Sequence, residues 1–103
     1  MQIIKPKEFA PAKAWQAIDI ERIDNASVRL HWTDQPYVWH VNDGPEVFAV
    51  LDGSVDMHTR VDGRVTITRL ETGHIFHAEM GDEHVAHPVG PARVLVIEQA
   101  GSV

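Results

Sequence analysis

The sequence predicts an all-β domain whose antiparallel strands close into a barrel or sandwich. Apolar and polar residues alternate with period two over most of the chain, and turn residues interrupt this alternation at short intervals. No apolar stripe has the 3.6-residue period of a helix, and the one helix candidate, Pro11 to Ala17, is short. Eight or more short strands in succession are typical of barrels and sandwiches.

The predicted strands are separated by residues that favour turns, such as Asp24-Asn25, Asp43-Gly44-Pro45, Asp52-Gly53 and Gly81-Asp82. The strands run from Trp15 to Ile23, Ser27 to Thr33, Tyr37 to Asn42, Glu46 to Leu51, Ser54 to Val61, Arg64 to Leu70, Gly73 to Ala78 and Arg93 to Gln99. Asp62-Gly63 is a strong two-residue hairpin signal, because both turn positions need positive φ. No linker, repeat or low-complexity segment divides residues 1–103, so we expect one domain.

The second strand has two faces of different character. Val28, Leu30 and Trp32 share one face, which is apolar. Arg29 and His31 alternate with them, and we expect these two to stand on the opposite, solvent-facing side without a chemical role. The same parity argument places His58, between Asp56 and Arg60, on a polar face.

Composition excludes several classes of function. The formal charge of -6 opposes binding to nucleic acid or to an anionic membrane. The chain has no Cys, so disulfides, thiol nucleophiles, thiolate zinc sites and iron-sulfur clusters are excluded, and any metal must be bound by nitrogen and oxygen. No stretch approaches the ~20 apolar residues that span a bilayer, and no signal-peptide core follows Met1, so we expect a soluble cytoplasmic protein.

His40 and Glu46 lie on strands rich in apolar neighbours. A buried carboxylate without compensation costs several kcal/mol or is protonated, so Glu46 needs a cation or a hydrogen-bond donor. A metal ion or an Arg would both serve. His40 and Asn42 point to the same strand face, and the intervening turn can bring Glu46 beside them.

The run from His40 to Glu46, followed after six residues by Gly53, resembles the first motif of the cupin family, H-x-H-x(3,4)-E-x(6)-G. Asn42 stands in place of the second His of that motif. The resemblance implies a jelly-roll barrel, also called a double-stranded β-helix, with a metal ion held inside it.

The second cupin motif, G-x(5)-P-x-G-x(2)-H-x(3)-N, is matched at Gly73, Gly81 and His84, whereas Glu79 and Pro88 replace its Pro and Asn. Together the two motifs cover about half of the chain. What they imply is a metal site formed by three ligands and one substituted position, namely His40, Glu46 and His84, with Asn42 as a weak ligand or as a group that orients water or substrate.

Two His and one carboxylate leave open positions for water or a chelating substrate, a set that non-haem iron and zinc enzymes use. Fe(II), Mn(II), Ni(II) and Zn(II) all remain open. Three further His, namely His74, His77 and His87, lie beside the second motif. We expect all three to be structural, with His77 and His87 as the better candidates if an acid-base group lies near the cavity.

Two functions remain open from the sequence. The first is a metal-dependent enzyme that acts on a small organic acid, sugar derivative or aromatic ring by oxygenase, isomerase or lyase chemistry. The second is a non-catalytic protein that binds a small ligand or a structural metal. The strand Glu46 to Leu51 is apolar on both faces, so we also expect a homodimer that buries its outer residues Val47, Ala49 and Leu51.

Overall fold

The structure, a computed structural model, describes residues 1–102 as strands joined by turns and short loops. The strands are β1 (Gln16–Ile23), β2 (Ala26–Thr33), β3 (His40–Val41), β4 (Glu46–Asp52), β5 (Val55–Val61), β6 (Arg64–Leu70), β7 (Ile75–Ala78), β8 (Glu83–Pro88) and β9 (Ala92–Gln99). All paired strands are antiparallel. The predicted all-β antiparallel fold class is confirmed.

The strands form two sheets that face each other. The five-stranded sheet has the order β1-β2-β9-β4-β7, and the four-stranded sheet has the order β3-β8-β5-β6. Their inner faces enclose an apolar core that contains Phe48, Val50, Val55, Met57, Leu70, Ala86, Ala92, Val94 and Val96. This core fills one part of the space between the sheets, and a cavity occupies another part.

The turns follow the sequence prediction closely. Asp62 and Gly63 have φ of 52° and 75°, as the two-residue hairpin between β5 and β6 requires. Gly53 has φ of 82°, and a Cβ there would lie 2.6 Å from the carbonyl oxygen of Pro91. A larger residue at this motif glycine would therefore collide with the backbone that leads into β9.

No helix forms from Pro11 to Ala17, the one helix candidate of the sequence. The backbone NH of Trp15 instead donates to the carbonyl of Trp32 at 2.8 Å, and Trp15 itself adopts a positive φ of 63°. These constraints feed the chain into β1 rather than into a helix. The helical segment that does form is a 3-10 turn at Pro6–Glu8, and no helix in residues 1–102 is long and apolar enough to cross a membrane.

Two strands differ from the prediction. The strand predicted from Tyr37 to Asn42 is reduced to His40–Val41, and β8 was not predicted at all. In β8 the consecutive residues His84, Val85 and Ala86 are all buried, because both faces of the strand are covered. A strand buried on both faces lacks the polar and apolar alternation that reveals half-buried strands.

The orientation predicted for β2 is also wrong. Arg29 pairs with Val96 and His31 pairs with Val94, and both partners belong to the core. Because residues directly opposite each other point to the same side of a sheet, Arg29 and His31 face the inside of the molecule. Leu30 faces outward and is nevertheless only 1% exposed.

The amino-terminal segment explains why the outer side of β2 is apolar. Arg93, on the outward-facing side of β9, donates from Nε to the carbonyl of Phe9 at 3.0 Å. The 3-10 turn at Pro6–Glu8 contacts β4. The segment before β1 therefore runs over the outer face of the five-stranded sheet, where Leu30 lies.

Candidate metal centre

Side chains from three strands converge at one end of the cavity. His40 on β3 pairs directly with His84 on β8, and their ring centroids are 4.3 Å apart. Glu46 is the first residue of β4, and its side chain points inward from the other sheet. Each of the three offers a donor atom, and these atoms all lie within 4.8 Å of one another. The structure thus brings His40, Glu46 and His84 together as a group that could hold a metal ion.

The two loops that carry the motifs are tied to each other through backbone hydrogen bonds. The NH of Asn42 donates to the carbonyl of Asp82 at 2.9 Å, and the NH of Gly81 donates to the carbonyl of Asn42 at 2.8 Å. Gly81 has φ of 91°, which favours glycine. These bonds fix Asn42 beside His84, although the two residues are far apart in the chain.

His40 has the tautomer that a metal ligand needs. Its Nδ1 donates to the carbonyl oxygen of Val38 at 3.1 Å, so in the neutral ring the proton lies on Nδ1. The lone pair of Nε2 is then available for a cation. A backbone carbonyl that holds the other ring nitrogen is a common support for metal-binding His.

Asn42 links Glu46 and His84. Its Nδ2 donates to the carbonyl of Gly44 at 3.2 Å and to Oε1 of Glu46 at 3.3 Å, and these two acceptors fix the amide orientation. Oδ1 consequently faces His84, whose Nε2 lies 2.6 Å away, and Oε1 of Glu46 lies 3.0 Å from the same nitrogen. In this arrangement Nε2 of His84 carries a proton and donates to two oxygens.

One of the donor separations suits a divalent cation. Ligands at ~2.1 Å from an ion and at right angles to each other lie ~3 Å apart, and the separation of 3.0 Å between Glu46 and His84 matches this value. His84 is less prepared than His40, because its buried Nδ1 has no hydrogen-bond partner within residues 1–102. To bind at Nε2 of His84, a cation must displace the proton that this nitrogen donates to Asn42 and Glu46. We therefore expect metal binding to weaken as the pH falls.

The electrostatics of the site keep Glu46 ionised. Burial by itself would raise the pKa of Glu46, but the hydrogen bond and positive field of His84, with the hydrogen bond from Asn42, bring the pKa below its ordinary value. Glu46 is only 6% exposed, so its charge is an attractive partner for a cation.

The cavity beside the site has a volume of about 200 Å³. The ligand side of the cavity is defined by His40, Asn42, Glu46 and His84. Of these four residues, His40, Glu46 and His84 line the cavity. The β2–β9 side is defined by Arg29, His31 and Glu98, which also line the cavity. Aromatic and apolar side chains lie between the two, among them Trp15, Tyr37 and Phe48.

Glu98 lies next to Glu46, since the two are paired across β4 and β9. Burial, followed by the negative charges of Glu46 and Asp43, raises the pKa of Glu98 to about 6. Burial also lowers the pKa of His31, against the raising effect of its hydrogen bond to the carbonyl of Trp15. The β2–β9 side therefore holds a carboxyl group with a raised pKa and an imidazole with a lowered pKa.

The remaining His lie away from the cavity. His77 is exposed beside Glu79, at 3.3 Å, and His74 accepts a hydrogen bond from the NH of Glu71. His87 stacks on His58 on the outer face of the four-stranded sheet, with ring centroids 3.9 Å apart. Neither His77 nor His87, the two candidates for an acid-base group, lines the cavity.

Sequence reasoning missed the β2–β9 side. Arg29 and His31 were expected to face solvent, and Glu98 was not predicted as a site residue because it follows an apolar run near the end of β9. The usable signal was β9 itself, whose Val94 and Val96 pack inward and set the parity of Glu98. Phe48 lines the cavity, whereas Trp39 lies under the guanidinium of Arg60 at 4.1 Å.

No known protein-family model matches the chain, and no curated protein sequence matches it either. Solved structures do resemble it. A cupin-2 domain protein from Shewanella frigidimarina superposes with a TM-score of 0.76 at 23% identity, covering 90% of this chain and 86% of the other. A cupin superfamily protein from Desulfitobacterium hafniense gives a TM-score of 0.73 at 13% identity, with coverage of 87% and 83%.

A hydroquinone 1,2-dioxygenase from a Sphingomonas species, solved with 4-hydroxybenzoate bound, gives a TM-score of 0.69 at 16% identity. The match covers 86% of this chain and 69% of that enzyme. At these identities the likeness concerns the fold. The chain has the double-stranded β-helix fold of the small cupins, as its two sequence motifs imply.

Proposed function

We propose that this chain, which has the cupin fold, binds a divalent metal ion through His40, Glu46 and His84 and acts on a small organic molecule in the adjoining cavity. The observation that carries the proposal is the convergence of three donor atoms within 4.8 Å of one another at one end of that cavity. Two imidazoles and a carboxylate, without any thiolate, suit Fe(II), Mn(II), Ni(II) or Zn(II).

The residues have distinct roles in this proposal. A bound ion would supply open coordination positions and Lewis acidity for an oxygen-bearing ligand. His40, already held by Val38, presents Nε2 without rearrangement, and Glu46 supplies the negative charge. Asn42 positions Glu46 and His84 through its two hydrogen bonds rather than acting as a full ligand.

The reaction type belongs to the same proposal. Among proteins of this fold, the hydroquinone 1,2-dioxygenase and a hydroxypropylphosphonic acid epoxidase are enzymes by name. A site of two His and one carboxylate with open positions is also used by non-haem iron oxygenases. We therefore favour oxygenase chemistry over isomerase or lyase chemistry, which the same site would also allow.

Metal analysis tests this function directly. We expect protein purified without added metal, and then dialysed against Mn²⁺, Fe²⁺, Ni²⁺ or Zn²⁺, to retain about one ion per chain. His84→Ala should lower the affinity by at least about 100-fold, because it removes one of three ligands. His77→Ala is the matched control, since His77 is exposed and lies outside the cavity. Wild-type and His84→Ala proteins with the same metal content would contradict the proposal.

A non-catalytic ligand-binding protein is the second candidate, and one observation favours it. Nε2 of His84 already donates to Asn42 and Glu46, so these buried polar groups are largely satisfied without an ion. Screening the metal-loaded protein for oxygen consumption on phenols and organic acids separates the two functions. Stoichiometric metal without turnover on any compound would favour the binding protein.

We also propose that the protein works as a cytoplasmic homodimer without nucleic-acid or membrane partners. The negative charge and the lack of Cys support the location and the absence of polyanion binding. Val47, Ala49 and Leu51 remain only half-buried on the outer face of β4, which supports a second copy as their cover. A monomer in sedimentation at micromolar concentration would contradict the dimer.

A further inference from the structure

The cavity contains one guanidinium group, which the metal site does not use. Arg29 is the only Lys or Arg among the described residues that line the cavity. It is carried by β2, two strands away from Glu46 on β4, with β9 between them. Since neighbouring strands lie about 4.8 Å apart, the two side chains enter the cavity from backbones at least about 10 Å apart.

The hydrogen bonding of Arg29 leaves one edge of the guanidinium available. Nε donates to Oδ1 of Asp19 at 2.6 Å, which directs the Nη edge away from Asp19. Within residues 1–102 neither Nη atom donates a hydrogen bond to another side chain or to the backbone. Two parallel N–H groups in one plane match the two oxygens of a carboxylate.

The row of the sheet that begins at Arg29 is apolar, whereas Glu98 lies two residues further along β9. Arg29 pairs with Val96, and Val96 pairs in turn with Phe48, so one row of the sheet presents two buried apolar side chains beside the guanidinium. Such a floor suits the body of a hydrocarbon ligand and offers no hydrogen bonds to sugar hydroxyls.

Aromatic rings line the cavity next to this floor. Trp15 and Tyr37 meet edge to face with centroids 5.1 Å apart, and Tyr37 meets His40 at 5.5 Å and 87°. Flat apolar surfaces of this kind favour a planar ring. A cavity volume of about 200 Å³ has room for one ring with small substituents.

We infer that the ligand is a small aromatic monocarboxylate, whose carboxylate binds the Nη edge of Arg29 and whose ring lies over Val96 and Phe48. This inference names the ligand class for the proposed function, and it rests on that function for the reaction at the metal ion. The Arg29 contact itself needs no metal ion, because the guanidinium is charged at all working pH values. Asp19 acts as a positioning residue for Arg29.

Benzoate and its neutral analogue benzamide are suitable probes, with glucose as the sugar. Titrations followed by NMR at pH 7.5 should use chelator-treated wild type, Arg29→Gln and Asp19→Asn. We expect wild type to bind benzoate more tightly than benzamide, with glucose not binding. Arg29→Gln should lose about 10- to 100-fold in benzoate affinity and leave benzamide binding unchanged. Asp19→Asn should lose only a few-fold.

Arg64→Gln is the matched control, because Arg64 is an exposed arginine on β6 outside the cavity and should bind both probes like wild type. Arg29 forms a solvent-exposed ion pair, so its replacement should not unfold the protein. A far-UV circular dichroism melt of each variant checks this point.

The same titrations on Mn²⁺-loaded protein separate the two proposals. Arg29-dependent benzoate binding in a chain that binds no metal would uphold the inference and remove the metal function. Metal-loaded protein that binds benzoate equally well with and without Arg29 would overturn the inference and leave the metal function intact. Equal affinity of wild type for benzoate and benzamide, or tighter binding of glucose, would also overturn it.

Discussion

The two sides of the cavity differ in how directly the sequence encodes them. The ligand side is formed largely by one short run, His40 to Glu46, whose ends meet because Asp43-Gly44-Pro45 turns the chain back. The β2–β9 side is formed by Arg29, His31 and Glu98, which meet the first side only through sheet pairing.

The two sides differ in how far apart along the chain their determinants lie. Motif spacing fixes side chains that share a turn, since a change of one residue in the loop would misplace Glu46. The inward face of β2, by contrast, depends on what covers its other face. Leu30 is only 1% exposed on the outer side, where the amino-terminal segment passes, and this leaves Arg29 and His31 to the inner side.

The largest effect that would test this contrast concerns Leu30. We expect Leu30→Ala to lower the free energy of unfolding by about 3 kcal/mol, because it leaves a cavity at a site that is 1% exposed. Urea unfolding measures it. Ile23→Ala is the control, since Ile23 is 62% exposed and should change stability by no more than about 0.5 kcal/mol. Equal, small losses for both would mean that the outer face of β2 is not buried.

A smaller effect concerns Asn42 on the ligand side. Asn42→Ala removes the hydrogen bonds that hold Glu46 and His84, and we expect it to weaken binding of Mn²⁺ about 10-fold. Asn25→Ala, in the exposed turn before β2, should leave metal affinity unchanged. Isothermal titration calorimetry compares the two. Unchanged affinity in Asn42→Ala would remove Asn42 from the site.

The smallest effect concerns Glu98. Its pKa rises from 4.5 in the unfolded chain to about 6 in the folded one, so folding favours the protonated acid. The contribution of Glu98 to the free energy of unfolding is fully present below pH 4.5 and is lost as the pH rises through about 6. Because Glu98 is only half-buried, solvent screening reduces the loss to about 1 kcal/mol.

In the metal-free Glu98→Gln variant the side chain at position 98 cannot ionise, so this variant should not lose that stability as the pH rises. The stability difference between wild type and variant should therefore shift by about 1 kcal/mol in favour of the variant between pH 4.5 and pH 7.5. Urea midpoints at the two pH values supply the measurement. A difference that is independent of pH would place Glu98 in solvent rather than beside Glu46.

The sequence predicts those parts of the fold that are local. The hairpin at Asp62-Gly63 and the motif glycine Gly53 were predictable, because positive φ and close backbone approach leave few alternatives to glycine. The strand β8 was not, although it carries His84, because burial on both faces removes its alternation. Spacing between motifs identified His84 even where strand patterns could not.

One measurement tests the central claim most directly. Zn²⁺ is diamagnetic and strongly shifts the NMR signals of the imidazole nitrogens that bind it, so a titration can be read at the ring nitrogens of each His. We predict that the ring nitrogen signals of His40 and His84 shift together and saturate at about one Zn²⁺ per chain, while the stacked pair His58 and His87 on the outer face keeps its signals in place. Earlier shifts of the His58 and His87 signals, or equal shifts of all His signals, would contradict a metal centre at His40, Glu46 and His84.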